Sequence, residues 1–417
     1  MTKKVLVIGL GVSGKGAAQF LKRQGYQVIG ADRNPEEIQL EIEVFSDQKV
    51  FAPFDFDLVI LSPGIPRSHP LSQEARKRGV EVIGEAELAF RHMKNRCIGI
   101  TGTNGKTTLV SLIAHVLNYG GIKAKALGNI GESLAKYLLS QDEEEILVVE
   151  LSSFQLETMQ APSLEIGVIT NITPDHLDRY SSFEEYRKTK CHIISCIKPS
   201  GILIYDQNID VDISPNLNFE IKREIIGADS YLQLTKNGGY SSFQVDPSAK
   251  FAFAIVEKFG ITAEVFLAAY GTFKKPSHRI EYVRQLDGVT FYNDSKGTTP
   301  ESVLFAIKQI RSPIILIAGG LNKGGHFTIW KEACRGRVKS IFAIGQAAPL
   351  LLEELGESFP VFIKEDLKSA FTAACGLAKN GDTVLLSPGC ASFDQFKNYM
   401  HRGDVFKELV NGLTPRR

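Results

Sequence analysis

The chain runs to 417 residues, 43% of them hydrophobic and 23% charged, with a formal net charge of +1. That length exceeds one ordinary core and implies about two to three domains. Near-neutral charge excludes a global field for nucleic acid or an anionic membrane, so any anionic ligand must be held by local groups.

No run of about twenty apolar residues offers a membrane span, and Met1-Thr2-Lys3-Lys4 leads straight into a strand rather than a secretory apolar core. A cytoplasmic location is expected, with no membrane and no nucleic-acid partner. The six cysteines, at 97, 191, 196, 334, 375 and 390, include no C-x-x-C pair. Reduced thiols and no zinc are expected.

Val5–Ile8 reads as a buried strand, followed by Gly9-Leu10-Gly11-Val12-Ser13-Gly14 and a helical pattern through Ala17, Ala18, Phe20 and Leu21. A second strand, Gln27–Ala31, is closed by Asp32-Arg33. Motif logic alone reads this G-x-G-x-x-G with a following acid as NAD binding. Its physical content is broader: a helix N-terminus for a diphosphate and an Asp for a hydroxyl or ring N–H, which any nucleotide diphosphate can use. A third strand over Asp57–Leu61 ends in Ser62-Pro63-Gly64-Ile65-Pro66, and a helix near Pro70–Lys77 and a strand over Val80–Ile83 follow. Residues 1–93 are expected to form a small parallel α/β domain.

Cys97–Thr101 is an apolar run that stops at Gly102-Thr103-Asn104-Gly105-Lys106-Thr107-Thr108 and continues as a helix to about Tyr119. Strand, tight loop and helix in that order make a phosphate cradle. Glycines let backbone N–H groups approach an anion, Lys106 reaches outer phosphates and Thr107 offers a hydroxyl to Mg²⁺. The spacing is shorter than G-x-x-x-x-G-K-[ST], since position 100 is Ile; the plainer alternative is an ordinary turn with a surface lysine. Lys123–Leu127 reads as a strand, Gly128-Asn129-Ile130-Gly131 as a turn, and Asp142–Glu145 as a solvated acidic loop.

Ile146–Val149 is a core strand tipped by Glu150, where a Mg²⁺ ligand belongs in a parallel sheet. Ile166–Thr170 empties into Asn171-Ile172-Thr173-Pro174-Asp175-His176-Leu177-Asp178-Arg179, which places His176 among acids as a candidate for metal or phosphate contact. A helix is expected over Phe183–Ile197, with Lys190 on a stretch that should face inward. A buried ammonium beside Mg²⁺ is repelled, so Lys190 either points to phosphate or is neutralised by chemistry. Residues 201–250 alternate short strands, Ile202–Tyr205 among them, with polar turns of little functional signal. Helices over Ala249–Phe259 and Ala263–Tyr270 lead to a hinge at Phe273–Arg279, so the central domain is expected to span 94–275.

Residues 276–417 return to strand–helix alternation, with one strand expected over Ile341–Gly345. Strands over Val289–Tyr292, Ile314–Ala318 and Val384–Leu386 end in Asn293-Asp294-Ser295-Lys296-Gly297-Thr298-Thr299, Gly319-Gly320-Leu321-Asn322-Lys323 and Ser387–Asp394. Their Ser, Thr, Lys and Asp side chains should share one sheet edge, where open parallel sheets bind ligands. Together these features point to phosphoryl transfer assembled between domains, and no Ser-His-Asp order, Cys nucleophile context or triple-His cluster competes.

Gly102–Thr108, Glu150-Leu151-Ser152-Ser153-Phe154-Gln155, Asn171–Asp178, Tyr186–Lys190, His278-Arg279 and Asn293–Lys296 together resemble the Mur ligases, ATP-dependent amide ligases of peptidoglycan precursor synthesis. Ser387-Pro388-Gly389-Cys390-Ala391-Ser392-Phe393-Asp394 and Arg402-Gly403 are similar to the D-glutamate-adding branch, with Gly389 and Phe393 standing where relatives often carry Ala and Leu. The resemblance implies three domains: a Rossmann-like UDP-binding domain, a central parallel sheet of the P-loop ATPase type and a C-terminal Rossmann-like domain. The implied substrates are UDP-MurNAc-L-Ala and D-glutamate.

By the same resemblance, Val12, Ser13, Asp32, Arg33 and Gly64 cradle uridine and diphosphate, Asn129 and His176 touch the muramoyl portion, and Ser152 also binds the UDP-linked substrate. Gly102 to Thr108, Arg279, Asp294 and Lys296 serve ATP and its transferring phosphoryl group. Lys323, Thr298, Ser392 and Tyr399 hold D-glutamate. Two Mg²⁺ ions are implied, one on Thr107 and Glu150 and one on His176 and a CO₂-derived carbamate of Lys190. The implied catalytic set is Lys106, Glu150, His176, Lys190 and Lys296, the intermediate an acyl phosphate, and the working form a monomer.

Three rival classes differ in what they require. A nicotinamide dehydrogenase needs NAD at Gly9–Gly14. Another Mur-type or folylpolyglutamate-type ligase shares the phosphate loop, but the latter generally lacks a leading UDP domain and the Ser387–Asp394 segment. A non-catalytic nucleotide scaffold releases no phosphate with both substrates present.

Overall fold

Continuous apolar runs closed by glycine turns give strands buried on both faces, and the helices between them force parallel pairing. The computed structural model describes residues 2–176, 179–211, 220–227 and 247–415. The strands of these residues form three sheets.

The first contains β1 (Lys4–Ile8), β2 (Gln27–Asp32), β3 (Glu43–Ser46), β4 (Leu58–Leu61) and β5 (Glu81–Gly84), in the order β3-β2-β1-β4-β5 with every pair parallel. The chain leaves β1 for β2 on one side and returns to β4 on the other, so the crevice outside the ends of β1 and β4 is a topological switch point. The second contains β6 (Cys97–Thr101), β7 (Ala124–Gly128), β8 (Ile146–Glu150), β9 (Leu164–Ile169), β10 (Ile197–Asp206) and β11 (Lys222–Ile226), ordered β11-β10-β9-β6-β8-β7 and parallel throughout. The third contains β12 (Glu281–Leu286), β13 (Val289–Asn293), β14 (Ile314–Gly319), β15 (Val338–Ile344), β16 (Val361–Ile363) and β17 (Thr383–Leu386). Its order is β12-β13-β17-β14-β15-β16, with β12 antiparallel.

Two compact units hold these sheets: Met1–Ile172 with Arg187–Phe273, and Thr173–Tyr186 with Lys274–Arg417. Within the first unit, two buried acids of the helix Glu85–His92 tie the first two sheets together. Glu85 accepts the N–H of Ala135 at 2.7 Å, and Glu87 accepts the N–H groups of Gln160 and Ala161 at 2.8 and 3.2 Å. Burial pushes the Glu85 carboxyl up to about 7.

Two local expectations need correction. The helix from Phe183 stops at Cys191 and passes through a 3₁₀ turn, His192–Cys196, into β10. Pro199 keeps any helix from running on past Ile197, since it cannot donate to a helix and disfavours helical backbone at the residue before it; the earlier stop at Cys191 has no such local cause. β10 itself starts at Ile197, earlier than the expected strand, with a register shift between Ile197 and Ile202. Asp178 and much of the 201–250 stretch lie outside the described residues. No helix among the described residues is long and apolar enough to cross a membrane.

Candidate active site

β6 lies between β8 and β9, with Ile100 opposite Glu150 and Thr101 opposite Ile169. This register delivers three strand ends to one place. Gly105 caps the helix Lys106–Tyr119 in the left-handed region, φ +84°, a conformation for which glycine carries no Cβ penalty. Asn171, just past β9, braces the loop: its carbonyl accepts from Thr103 N at 2.9 Å, its Oδ1 accepts from Asn104 N at 2.8 Å, and its Nδ2 donates to Asn104 O at 2.9 Å. Lys106 Nζ donates to the carbonyls of Gly102 and Thr103 at 2.7 and 2.8 Å, holding the ammonium over the loop.

The Thr107 hydroxyl donates to Glu150 Oε2 at 2.7 Å, and Asn129 Nδ2 donates to Glu150 Oε1 at 2.9 Å. Glu150 is 2% exposed, so its carboxyl sits in a site of low dielectric beside the loop. Lys190 is also 2% exposed, and its Nζ donates to Gly102 O at 2.9 Å. Ser152 caps the short helix Ser153–Leu156 through a reciprocal pair with Gln155. Thus Thr107, Asn129, Glu150 and Lys190 meet at or next to Gly102–Thr108.

At the first sheet, the turns after β1 and β4 are joined by the Ser62 hydroxyl donating to Gly9 O at 2.8 Å. A Cβ on Gly14 would overlap the Gly9 carbonyl oxygen, so helix Val12–Arg23 packs on the turn only because that residue is glycine. Asp32 accepts Leu10 N at 2.5 Å and Asn34 N at 3.1 Å, which fixes the carboxylate beside the turn. Val12 is 70% exposed at the helix start, and Arg33 and Gly64 are exposed as well.

In the second unit, β13, β17 and β14 are neighbours, so their ends share one edge as the sequence implies. Asp294 is buried there, accepting the Ser387 hydroxyl at 2.7 Å and Ile280 N at 3.2 Å, and burial raises its carboxyl to about 7. Arg402, 1% exposed, donates to Ser295 Oγ and O and to the carbonyls of Cys390 and Ala391 at 2.8–3.3 Å, clamping the turns after β13 and β17. Lys296 Nζ sits 5.3 Å from the centroid of the Tyr399 ring. His176 and His278 both adopt positive φ, +56° and +65°, a conformation uncommon outside glycine.

A cavity of about 290 Å³ opens at this edge, lined by Thr298, Thr299, Glu301, Asn322 and Lys323 together with Asp175. Lys323 Nζ and Asp175 Oδ1 are 3.0 Å apart, and Asp175 also accepts the His176 N–H at 2.9 Å. The structure therefore brings Thr298 and Lys323 to one cavity. Ser392 and Tyr399 are not among its lining residues, although Ala391, next to Ser392, pairs with Leu321 through two backbone bonds of 2.9 Å. The bracing role of Asn171, the clamp by Arg402 and the presence of Asp175 and Glu301 in the cavity are structural findings. Asn171 and Asp175 were visible only as members of a polar turn.

Three family descriptions match successive segments: the Mur ligase MurD-like N-terminal domain over residues 3–84, the Mur ligase middle domain over 100–271 and the Mur ligase glutamate ligase domain over 278–390. The chain is 43% identical to the UDP-N-acetylmuramoylalanine--D-glutamate ligase of Protochlamydia amoebophila, across 99% of this chain and 98% of that one. It is 37% identical to the protein of the same name from Chlamydia abortus, across 99% and 98%. Among solved structures, the UDP-N-acetylmuramate-alanine ligase MurC of Thermotoga maritima matches with a TM-score of 0.60 at 17% identity, covering 98% of this chain and 99% of that one. At that identity the likeness shows the fold alone.

Proposed function

The chain belongs to the Mur ligase family, and on that premise we infer that it joins D-glutamate to UDP-N-acetylmuramoyl-L-alanine with ATP, releasing ADP and phosphate, in cytoplasmic peptidoglycan precursor synthesis. The observation that carries the chemistry is the buried Thr107–Glu150 pair, 2.7 Å apart, at the head of a glycine-capped helix with Lys106. The identity of the acceptor is carried by the full-length similarity to D-glutamate ligases.

ATP lies along Gly102–Thr108, its phosphates drawn by backbone N–H groups, the helix N-terminus and Lys106. The donor set fits Mg²⁺, which takes one or two protein oxygens and completes its shell with phosphate and water. Thr107 and Glu150 supply those oxygens. Among the described residues no three His, Cys, Asp or Glu side chains form a self-contained metal cluster, and this mode of binding needs none. Bound there, Mg²⁺ neutralises charge on the phosphate oxygens.

A carboxylate is a poor electrophile because its leaving group would be oxide. An oxygen of the alanyl carboxylate attacks the γ-phosphorus, the bond to ADP breaks, and an acyl phosphate forms. The amine of D-glutamate then attacks the carbonyl, and the tetrahedral intermediate expels phosphate to leave the amide. Val12, Ser13, Asp32, Arg33 and Gly64 hold uridine and diphosphate at the first switch point, Asn129 and His176 the muramoyl portion, and Ser152 also binds the UDP-linked substrate. Arg279, Asp294 and Lys296 serve ATP, and Thr298, Lys323, Ser392 and Tyr399 the amino acid. Lys190 is read as a carbamate that, with His176, holds a second Mg²⁺; conversion of the buried ammonium removes a charge that would repel the cation. Domain boundaries are placed at 1–93, 94–275 and 276–417, and the working form is a monomer.

The test is release of ADP with UDP-MurNAc-L-Ala and each of D-glutamate, L-lysine, diaminopimelate and L-alanine. Stimulation by D-glutamate alone is expected. Equal stimulation by another amino acid, or product without nucleotide, contradicts the reading.

A further inference from the structure

The cavity at the end of β14 holds more negative charge than a site for an anionic amino acid requires. Lys323 is the cation facing it, and Asp175 already engages that lysine at 3.0 Å. Glu301 adds a second acid on the same wall. It stands in the first turn of the helix Pro300–Gln309, whose start is fixed by the reciprocal Thr299–Ser302 cap. One of its oxygens, Oε2, is buried with no hydrogen-bond partner among the described residues. Asp175 differs, because its Oδ1 accepts from both Lys323 and the His176 N–H.

An unsatisfied buried carboxylate oxygen costs free energy unless a donor arrives. An amino acid brings one suited to it, an α-ammonium group. We propose that Glu301 faces the ammonium of the acceptor amino acid and takes a proton from it before attack. This rests on the reading that the cavity receives that amino acid. An N–H bond of the ammonium breaks with its electron pair left on nitrogen, and the proton passes to Glu301. The freed pair forms the C–N bond to the acyl carbonyl. The C–O bond to phosphate then breaks, its pair leaving with phosphate, which carries off the second nitrogen proton. Burial raises the affinity of Glu301 for a proton, as does the neighbouring Asp175, while its own backbone N–H, the Thr299 hydroxyl and Lys323 lower it, the net direction being upward. His326, also on the wall, is paired with Glu354 at 2.7 Å. A carboxylate so raised is better matched to proton transfer near neutral pH.

The test compares wild type and Glu301→Gln with two acceptors, D-glutamate and hydroxylamine, the latter largely unprotonated at neutral pH. With D-glutamate the variant is expected to lose about 10²-fold in kcat at neutral pH and to recover as pH rises and free amine accumulates. With hydroxylamine, hydroxamate should form at the wild-type rate. A D-glutamate rate equal to wild type overturns the proposal, as does a loss shared equally by hydroxylamine, which marks a structural role. If wild type forms neither amide nor hydroxamate, the acyl-phosphate reading itself falls and takes this proposal with it.

Discussion

Lys106→Ala is expected to lose about 10³-fold in nucleotide-dependent ligation, the scale of removing a principal preorganised charge from a phosphoryl-transfer site. The lysine is the first residue of its helix and folds back to the Gly102 and Thr103 carbonyls, so its ammonium is held over the loop at no further cost in ordering when phosphate arrives. Its loss should appear in kcat more than in the KM for ATP, because the charge matters most as the γ-phosphoryl oxygens gain negative charge. The fold should survive: the loop is still braced by Asn171 through bonds of 2.8–2.9 Å to Thr103 and Asn104. Steady-state kinetics with a circular-dichroism control checks both parts, and near-normal turnover by the variant would contradict the assignment of the loop.

Lys190→Ala is expected to lose a comparable amount, roughly 10³-fold, because it removes several kcal/mol of charge stabilisation next to the transferring group. The side chain is 2% exposed and its nitrogen is 2.9 Å from the Gly102 carbonyl, so either reading of it, carbamate or ammonium, keeps it at the loop proposed to take phosphate. Carbon dioxide separates the two. Wild type stripped of CO₂ and bicarbonate should lose activity and regain it when bicarbonate is restored, while the variant stays inactive under both conditions. An inactive variant with a wild type indifferent to bicarbonate would leave the lysine as an ammonium directed at phosphate.

Much of the fold was legible because parallel strands buried on both faces read as unbroken apolar runs. Val5–Ile8, Cys97–Thr101, Ile146–Glu150 and Ile314–Gly319 are such runs, and each is closed by glycine or by the acid it presents. The strands missed, β3, β11, β12 and β16, all lie at sheet edges and are partly exposed along most of their length; charged residues interrupt the first three, Glu43-Val44-Phe45-Ser46, Lys222–Ile226 and Glu281–Leu286, and the fourth, Val361–Ile363, is only three residues long.

The candidate site divides in the same way. Loop residues Gly102–Thr108 and the strand-tip Glu150 carry local signals, glycine spacing and an acid ending a core strand. Contacts across long sequence distances carry none. Asn171 braces Asn104 from 67 residues away, Lys323 meets Asp175 across 148, and Arg402 reaches Ser295 across 107. Only strand order places such residues together. The G-x-G-x-x-G turn misleads for a related reason: Gly14 and Asp32 serve helix packing and turn geometry that NAD and UDP sites both use.

The most direct test follows one oxygen atom. UDP-MurNAc-L-Ala labelled with ¹⁸O in its alanyl carboxylate, turned over with ATP and D-glutamate, should yield phosphate bearing one ¹⁸O, since the oxygen that captures the γ-phosphoryl group leaves with it. Unlabelled phosphate accompanying amide formation would mean that the nucleotide does not activate the carboxyl group, and the assignment of the phosphate loop to that step would be wrong.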